Sequence, residues 1–299
     1  MVWNTVYNIT YRGPESLQDS IMPVLDSVSK SASAFESLSL VSRINRGEEL
    51  PLDDILKRLY LASVDINRHS GGKFDPTVGP LVTAWGFGKG HTPTADTLNI
   101  PTLLKYVGIS KTRLGEGGRL IKDDPRIEFN FSAIAKGLGC DAVAEMLERN
   151  GVTDYLIEIG GEIRSSGHSP RGDRWRVQID APVASADSVI HESQCVVTLE
   201  DIGIATSGNY RNFHQENGRR FGHTINPLTG RPATTDVASA TVAAPTTMEA
   251  DGYATAIMAM GSRDARRMVD SLRLAAYVVT TDGKVWVSDS FNPLLQPHK

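Results

Sequence analysis

Cysteine is almost absent from this sequence of 299 residues, which contains only Cys140 and Cys195, far apart. Two cysteines cannot build a disulfide scaffold or a multi-cysteine zinc site, and their separation excludes a C-x-x-C redox motif. No apolar run reaches the roughly 20 residues that a membrane-spanning helix needs. The formal net charge is only −4, so the strong positive field of many nucleic-acid-binding proteins is also lacking.

Several catalytic signatures are missing as well. The sequence contains neither G-x-G-x-x-G nor G-x-x-x-x-G-K-[ST], the fingerprints of dinucleotide and nucleotide binding. The seven histidines are scattered without H-E-x-x-H or a comparable ligand spacing, which argues against a zinc site. The absence of G-x-S-x-G weakens the case for a hydrolase triad. What remains is an ordinary globular composition, 40% hydrophobic and 22% charged, sufficient for a sizeable core.

Hydrophobic patterning predicts helices and strands that are interleaved without a regular βαβ period. Helices are predicted over 15–32, from Leu52 to Gly71-Gly72, over 136–149 and over 248–260. Strands are predicted over 2–11, 155–159, 174–180, 195–199 and 237–244, with a closing hairpin over 275–288. The serine-rich stretch between the first two helices, up to Asn45, is predicted to be a loop. The expectation is an α+β fold in a single domain over residues 1–299.

Two stretches combine glycine or lysine with the boundary of a predicted element. Gly160-Gly161 follows a predicted strand between Glu158 and Glu162, and is either a tight turn or a place where the backbone approaches a ligand. Lys136 lies at a predicted helix start, where a cation opposes the helix dipole, so a nearby anion would account for it. The alternative for Lys136 is an exposed surface lysine.

Two further stretches carry polar side chains suited to a reaction. His223 stands among polar residues, where it either acts on a proton or a phosphate or lies in a surface loop. Asp251 and Thr255 are four residues apart in a predicted helix and therefore face the same way. A carboxylate with a hydroxyl suits Mg²⁺, which prefers oxygen ligands. A capping Asp with a buried Thr bonded to the preceding turn gives the same pattern.

Taken in order along the chain, these stretches resemble the ApbE family, the FAD:protein FMN transferases once described as thiamine-biosynthesis lipoproteins. The resemblance extends from about Trp3 to Ser288. Its most specific tract is F-D-P-T-V-G-P-L-V (74–82) followed by W-G-F-G (85–88). The other matching tracts are W-N-T-V-Y (3–7), the serine-rich stretch from Ser33 to Asn45, N-F-S-A-I-A-K-G with Asp141 (130–141), E-I-G-G-E-I (158–163), A-T-S-G (205–208), H-x-I-x-P-x-x-G (223–230) and A-D-x-x-A-T-A (250–256).

The resemblance implies an enzyme that splits FAD at its pyrophosphate, transfers FMN to a Thr or Ser hydroxyl of a target protein as a phosphoester, and releases AMP. It also implies two α/β subdomains with an FAD groove between them. Mg²⁺ would sit on the pyrophosphate, held by the side chains of Asp251 and Thr255 and by the backbone carbonyl of Ala133. His223 is the implied catalytic residue for proton transfer, with Asp251 as the alternative.

The implied FAD groove draws residues from most of the matching tracts. These residues are Trp3, Lys73, Phe74, Asp75, Asn130, Lys136, Ser207, Gly208 and His223. Aromatic rings there would stack on the flavin or adenine, and the Lys136 ammonium would lie near phosphate. Two positions depart from the family pattern, since Asn130 stands where the family usually has Asp and Asn4 where it commonly has Gly. An amide at position 130 keeps hydrogen bonding but lacks the charge of a base.

The same chemistry leaves two alternatives open. With water in place of the acceptor hydroxyl, the protein would be an FAD pyrophosphatase that yields FMN and AMP. Without turnover, it would be a non-catalytic flavin-binding protein, although the presence of Asp251, Thr255 and His223 counts against this. The expected partners are FAD and a target protein of the electron-transport flavoprotein type, with no nucleic acid.

The first residues of the sequence carry neither the basic n-region nor the apolar h-region of a signal peptide. From the residues alone, either the protein is cytosolic or a targeting segment has been removed. The family resemblance implies work outside the bacterial cytoplasmic membrane, often with a lipidated cysteine near the start. We therefore expect residues 2–299 to be the mature part of a periplasmic or exported lipoprotein whose lipid anchor is absent from this chain.

Overall fold

The computed structural model describes residues 2–88, 99–180, 193–208, 213–216 and 219–296. The helices of these residues are α1 (Gln18–Ala32), α2 (Leu40–Asn45), α3 (Asp54–His69), α4 (Gly79–Ala84), α5 (Ile100–Leu103), α6 (Ala135–Arg149), α7 (Thr247–Met260) and α8 (Ser262–Leu272). The strands are β1 (Tyr7–Tyr11), β2 (Thr112–Leu114), β3 (Leu120–Lys122), β4 (Tyr155–Ile159), β5 (Glu162–Ser166), β6 (Trp175–Asp180), β7 (Ser193–Leu199), β8 (Gly203–Gly208), β9 (Phe213–Glu216), β10 (Arg219–Gly222), β11 (Ile225–Asn226), β12 (Arg231–Pro232), β13 (Val237–Ala244), β14 (Ala275–Thr280) and β15 (Val285–Val287).

A seven-stranded sheet forms the centre of the described structure, in the order β1-β4-β5-β8-β13-β14-β15. Each strand pairs antiparallel with its neighbours. Helices α6 and α7 pack on one face, and the β6–β7 hairpin covers the other. An antiparallel sheet with its helices gathered on one face confirms the predicted α+β class.

Strand β13 is covered on both faces, whereas its sequence pattern predicts a half-buried strand. Ala240, Val242 and Ala244 pack with the helices. Ala243, between them, packs with the residues of the β6–β7 hairpin. Seven of the eight residues of β13 are therefore buried, and the expected alternation of buried and exposed positions is lost.

Helix α3 begins two residues after the predicted start at Leu52 and ends just before the predicted stop at Gly71-Gly72. Asp53 is its N-cap, since the carboxylate accepts the backbone N–H of Leu56 at 2.8 Å. Asp54 follows in the first turn, where a negative charge complements the positive end of the helix dipole. Gly71 and Gly72 come just after the helix with φ of +60° and +81°, a left-handed backbone that ends it.

The predicted N-terminal strand is only partly right. Strand β1 begins at Tyr7, and the residues before it form a tight turn in which Val2 and Thr5 exchange two backbone hydrogen bonds. Trp3 and Asn4 occupy the turn with φ of +50° and +58°. Two successive left-handed residues reverse the chain, so the strand cannot start earlier.

The serine-rich stretch is not a loop throughout, because it contains α2. The N-cap of this helix is Ser39, whose hydroxyl accepts the backbone N–H of Ser42 at 3.1 Å. The same hydroxyl donates to the carbonyl of Ser33 at 2.6 Å. Serine side chains that hydrogen-bond the backbone favour helix caps and turns, and here Ser39 caps the start of α2. The helix is too short to show an apolar period, so the sequence pattern did not predict it.

The helices and the two cysteines can be compared with the expectations that the chain has no membrane-spanning helix and no disulfide scaffold. Within the described ranges, none of the helices combines the length and the apolar character required to cross a bilayer. Cys140 is a buried free thiol and Cys195 a partly exposed one. No disulfide therefore joins the two cysteines.

Candidate functional site

Helices α6 and α7 begin next to each other, and the candidate site surrounds this meeting point. Gly137 in the first turn of α6 allows the approach, since a Cβ atom there would lie 2.4 Å from the carbonyl oxygen of Thr247. A Cβ atom on Gly203, at the start of β8, would lie 2.4 Å from the backbone nitrogen of Thr247. Both contacts are with backbone, which yields less readily than a side chain, so the packing requires glycine at both positions.

Two aspartates cap these helices reciprocally. Asp141 of α6 accepts the backbone N–H groups of Thr247 and Met248, both at 2.9 Å. Asp251 of α7 accepts the backbone N–H of Gly137 at 3.0 Å. The first N–H groups of a helix lack partners within it, and a carboxylate satisfies them while offsetting the dipole. The prediction of a capping Asp is thus right for Asp251, although it caps another helix than its own.

The three predicted metal ligands lie together beside these caps. Thr255 is one helical turn after Asp251, as the spacing predicts. Its hydroxyl lies 3.5 Å from the carbonyl oxygen of Ala133 and 3.3 Å from the hydroxyl of Ser207. Thr255 therefore bonds outside its own helix, and the alternative in which it bonds the preceding turn is wrong.

Lys136 forms an ion pair with Glu162, the first residue of β5. The side chain of Lys136 is 34% exposed and that of Glu162 only 3%. Burial opposes the charge of Lys136, but the carboxylates of Asp251 and Glu162 outweigh it, so the pKa of Lys136 lies above its ordinary value. The alternative of an exposed surface lysine is therefore wrong, and the expected anion is present.

Two buried carboxyl groups lie within electrostatic reach of this one ammonium group, and one of them, Glu162, pairs with it. Burial raises the pKa of Glu162 to about 7, with Lys136 lowering it and Asp251 raising it. Burial also raises the pKa of Asp251, against the effect of Lys136 and of the Gly137 N–H. The Oε2 atom of Glu162 is buried without a hydrogen-bond partner. A surplus of buried carboxylate favours the binding of a cation here.

The predicted ligand set fits Mg²⁺ in its chemistry. A carboxylate, a hydroxyl and a backbone carbonyl supply only oxygen donors, which hard cations prefer. Over the part of the chain that the structure describes, no group of three His, Cys, Asp or Glu side chains is placed to hold a metal ion. A site here therefore depends on the Ala133 carbonyl and the Thr255 hydroxyl as well as on Asp251.

The segment before α6 is held by Asn45, a member of a matching tract without a predicted role. Its Nδ2 donates to the carbonyl of Phe129 at 2.9 Å, and its Oδ1 accepts the N–H of Phe129 at 2.8 Å. Asn130 comes next and is tied to the loop after α3, since its N–H donates to the carbonyl of Pro76 at 2.7 Å. The Oδ1 of Asn130 accepts the N–H of Ser132 at 2.9 Å, a bond that an Asp would also accept.

The loop after α3 places its three predicted FAD-binding residues in different environments. Phe74 is 3% exposed and packs in the core, and its backbone N–H and carbonyl are bonded to Ser70 and Asn67. Asp75 is buried, and its carboxylate accepts bonds from Thr77 and from the Ile109 N–H, which fixes the loop. Lys73 is partly exposed. Of the three side chains, that of Lys73 is the one open to solvent and to a ligand.

Trp3 packs on the same helix that carries Lys136. Its ring lies against Gly139, where a Cβ atom would be 2.4 Å from the indole. The Nε1 atom donates to the hydroxyl of Ser29 at 2.5 Å, and the residue is only partly buried. These contacts place the indole beside the first turns of α6, and its predicted part in FAD binding stays a prediction.

The remaining predicted residues lie at strand ends and bends. Ser207 and Gly208 end β8 and are partly exposed. His223 is exposed in the bend between β10 and β11, so it lies in a surface loop, and its part in a reaction stays a prediction. Gly160 and Gly161, with φ of +64° and +99°, form the turn of the β4–β5 hairpin, which confirms the predicted tight turn.

Glu162 is the residue of this site that sequence reasoning missed. Glu158 and Glu162 flank the same pair of glycines, and the pattern gives no reason to prefer either. The strand register separates them, because Glu162 pairs with Ile159 and Glu158 with Ile163, on opposite faces of the hairpin. Glu158 is partly exposed and accepts a bond from Asn8 at 3.0 Å. The one sequence signal that pointed to such a residue was Lys136, because a lysine at a helix start needs a nearby anion.

Comparisons with known proteins identify relatives of the whole chain. The model of the ApbE family matches residues 3–278. The chain is 36% identical over 307 residues to an FAD:protein FMN transferase of Vibrio cholerae serotype O1. The aligned region covers 97% of this chain and 90% of that protein. It is similar in structure to the flavin transferase ApbE from Vibrio cholerae, with a TM-score of 0.88, 34% identity and coverage of 99% and 97% of the two chains. The apo form of the flavinyl transferase ApbE from Pseudomonas stutzeri gives a TM-score of 0.85, 30% identity and coverage of 98% and 94%. The chain belongs to the ApbE family.

Proposed function

We propose that this protein transfers FMN from FAD to a Thr or Ser hydroxyl of a target protein, in a Mg²⁺-dependent reaction that forms a phosphoester-linked flavin and releases AMP. Its membership of the ApbE family and its similarity to proteins named FAD:protein FMN transferase support the transfer of a flavin. The target protein would be a flavoprotein of electron transport.

One arrangement carries the proposal. The Ala133 carbonyl, the Thr255 hydroxyl and the Asp251 carboxylate lie beside the start of α6, which carries Lys136. Oxygen donors suit Mg²⁺, whereas an ammonium group suits phosphate. A pyrophosphate with its cation needs both kinds of partner side by side. When bound, Mg²⁺ would neutralise charge on the pyrophosphate.

The reaction exchanges one phosphorus–oxygen bond for another. The acceptor hydroxyl oxygen bonds to the phosphorus of the FMN moiety, and the bond from that phosphorus to the oxygen of the AMP phosphate breaks. AMP leaves with the bonding electron pair, and the hydroxyl proton passes to a base. Lys136 would stabilise negative charge on the phosphate oxygens, because its ammonium is held in place beforehand by Glu162.

We assign to His223 the role of the base that takes the proton of the acceptor hydroxyl. It is exposed, so a hydroxyl of an incoming target protein has access to it from solvent. Asp251, the alternative base, is 3% exposed and already accepts the Gly137 N–H. Its burial and its place beside Thr255 suit a cation ligand better than a base that must meet a protein substrate.

The test is an incubation with FAD and Mg²⁺, with and without an acceptor protein that carries the family's threonine motif, followed by mass spectrometry. We expect the mass of the acceptor to increase by one FMN residue. One molecule of AMP should be released for each acceptor that is modified. Thr255→Val, which removes the hydroxyl but keeps a similar shape, should lose most of the activity, whereas Thr255→Ser should retain it. Asp65→Asn on the exposed face of α3 is the control and should match the wild type.

Other products would change the conclusion. AMP and free FMN without dependence on the acceptor would mean an FAD pyrophosphatase. Bound FAD without AMP would mean a flavin-binding protein. Equal activity of Thr255→Val and of the wild type, with no effect of EDTA, would contradict the proposed cation site.

We also propose that the full-length protein works outside the cytoplasmic membrane, anchored as a lipoprotein. The support is membership of the ApbE family, since the family resemblance implies work outside that membrane. Fractionation of cells that express the natural gene is the test, with the protein expected in the membrane fraction facing the periplasm. Recovery in the cytosol alone would contradict this location.

A further inference from the structure

Glu162 is fixed in place by the strand and helix on either side of it. The two-residue turn Gly160-Gly161 sets its position opposite Ile159. On α6, Cys140 donates its S–H to the backbone carbonyl of Glu162 at 3.3 Å, and Lys136, one turn earlier, pairs with the carboxylate. Both the backbone and the side chain of Glu162 are therefore held by the same face of α6.

Lys136 has a second acid within electrostatic reach. The charge of Asp251 is among the causes that raise the pKa of Lys136. Of these described residues, however, Glu162 is the one within 4.0 Å of the ammonium, and no ion pair joins Lys136 to Asp251. Asp251 instead accepts the Gly137 N–H through Oδ2. The flexible lysine chain thus has two possible partners, and the structure selects Glu162.

Direct pairing of Lys136 with Asp251 would compete with a cation. An ammonium on the Asp251 carboxylate occupies the negative charge that a divalent ion needs, and repels that ion. A residue that holds Lys136 away from Asp251 would then control the affinity of the site for a divalent cation. Groups that hydrogen-bond or orient metal ligands often have such an effect.

We propose that Glu162 is a positioning residue that holds the Lys136 ammonium out of an ion pair with Asp251 and so keeps the Asp251 carboxylate open to a divalent cation. The inference rests on the proposed function, in which Asp251, Thr255 and Ala133 hold that cation. It assigns a separate role to an acid that is not itself a ligand.

The experiment measures Mn²⁺ binding by electron paramagnetic resonance in the absence of FAD, so that the readout does not depend on catalysis. Glu162→Gln keeps the shape of the side chain and removes its charge. We expect it to weaken Mn²⁺ binding roughly 10- to 100-fold. Glu158→Gln, on the other side of the same turn, is the matched control and should bind as the wild type does.

Two further measurements identify the cause. In a crystal structure of Glu162→Gln, we expect the Lys136 Nζ within hydrogen-bond distance of an Asp251 oxygen. In Glu162→Gln combined with Lys136→Met, the competitor is gone, and Mn²⁺ affinity should recover towards the wild-type value. Thermal melting of each variant shows whether it is folded under the conditions of the binding measurement.

The outcomes separate this inference from the proposed function. Wild-type affinity in Glu162→Gln would overturn the role of Glu162, and so would weakened binding with Lys136 unmoved in the crystal, since the effect would then be one of charge at a distance. If the wild-type protein binds neither Mn²⁺ nor Mg²⁺, the proposed cation site itself fails.

Discussion

At the scale of one residue, the burial of Glu162 lowers the free energy of unfolding at neutral pH. An unfolded chain releases the proton of a glutamate near its ordinary pKa of 4.5, whereas burial in the folded protein raises the pKa to about 7. Between these values the folded protein holds a proton that the unfolded chain has lost. The free energy of unfolding contributed by this group therefore falls as pH rises from about 4.5 to about 7.

Glu162→Gln removes this pH-dependent term. We expect the variant to gain stability relative to the wild type as pH rises through that window, by up to about 3 kcal/mol. The measurement is urea unfolding of both proteins at about pH 5 and about pH 8, in EDTA. Glu158→Gln should show no such change, and a Glu162→Gln protein that loses stability relative to the wild type towards pH 8 would contradict the assignment.

Asn4 offers a second test at this scale, because its φ of +58° is in the left-handed region. Glycine adopts that conformation freely, and asparagine tolerates it better than most residues. Asn4→Gly should therefore be at least as stable as the wild type, while Asn4→Ala should lose about 1 kcal/mol. Chemical unfolding measures both, and equal stability of the glycine and alanine variants would show that the turn is not strained at this position.

Sequence reasoning at this scale succeeded where a spacing has one geometric meaning. Asp251 and Thr255 had to share a helix face, and they do. It failed for Glu162, because the choice between two glutamates depends on which face of a hairpin packs against α6. That choice is made by tertiary packing, which no local pattern records.

The element scale is dominated by the reciprocal caps of α6 and α7. Asp141 accepts two backbone N–H groups of α7 while 5% exposed, so both donors depend on it. In Asp141→Asn, the amide NH₂ cannot accept, and one N–H loses its partner in a buried place. We expect a loss of about 1–3 kcal/mol in the free energy of unfolding.

Urea unfolding measures this loss, and Asp65→Asn serves as its control. Asp65 pairs with Arg68 on the surface of α3, with 59% of its side chain exposed, so its replacement should cost little. Asp141→Asn should also weaken Mn²⁺ binding, since it loosens the start of the helix that carries Asp251. A variant as stable as Asp65→Asn would mean that water replaces the lost cap.

Elements with a strong period could be predicted, and short or capped ones could not. Helix α3 follows from its apolar spacing, Asp53 and the two glycines after it. Helix α2 has only six residues, which follow the N-cap Ser39, so composition alone suggested a loop. Strand β1 was predicted too long because β propensity says nothing about the left-handed turn at Trp3.

At the scale of the whole molecule, the sheet joins strands that are remote in sequence. The closing hairpin β14–β15 is local and was predicted. The pairing of β1 with β4, and of β5 with β8, brings together segments separated by helices or by another hairpin. Such pairings depend on the packing of α6 and α7 over the sheet, which is why the site residues could be predicted as motifs but not as neighbours.

If the proposed cation site is occupied, we expect this packing to make the stability of the molecule depend on the cation. Asp251 and Glu162 bring two buried carboxyl groups to one ammonium, at the junction of α6, α7 and the sheet. A cation bound only by the folded protein stabilises it in proportion to its concentration, by about 2.7 kcal/mol at 100 times its dissociation constant. Mg²⁺ should therefore raise the midpoint of urea unfolding, and EDTA should reverse the gain. Asp251→Asn still offers an oxygen to the Gly137 N–H but lacks the charge, so its midpoint should not respond to Mg²⁺. An equal response of the variant and the wild type would place the cation elsewhere in the molecule.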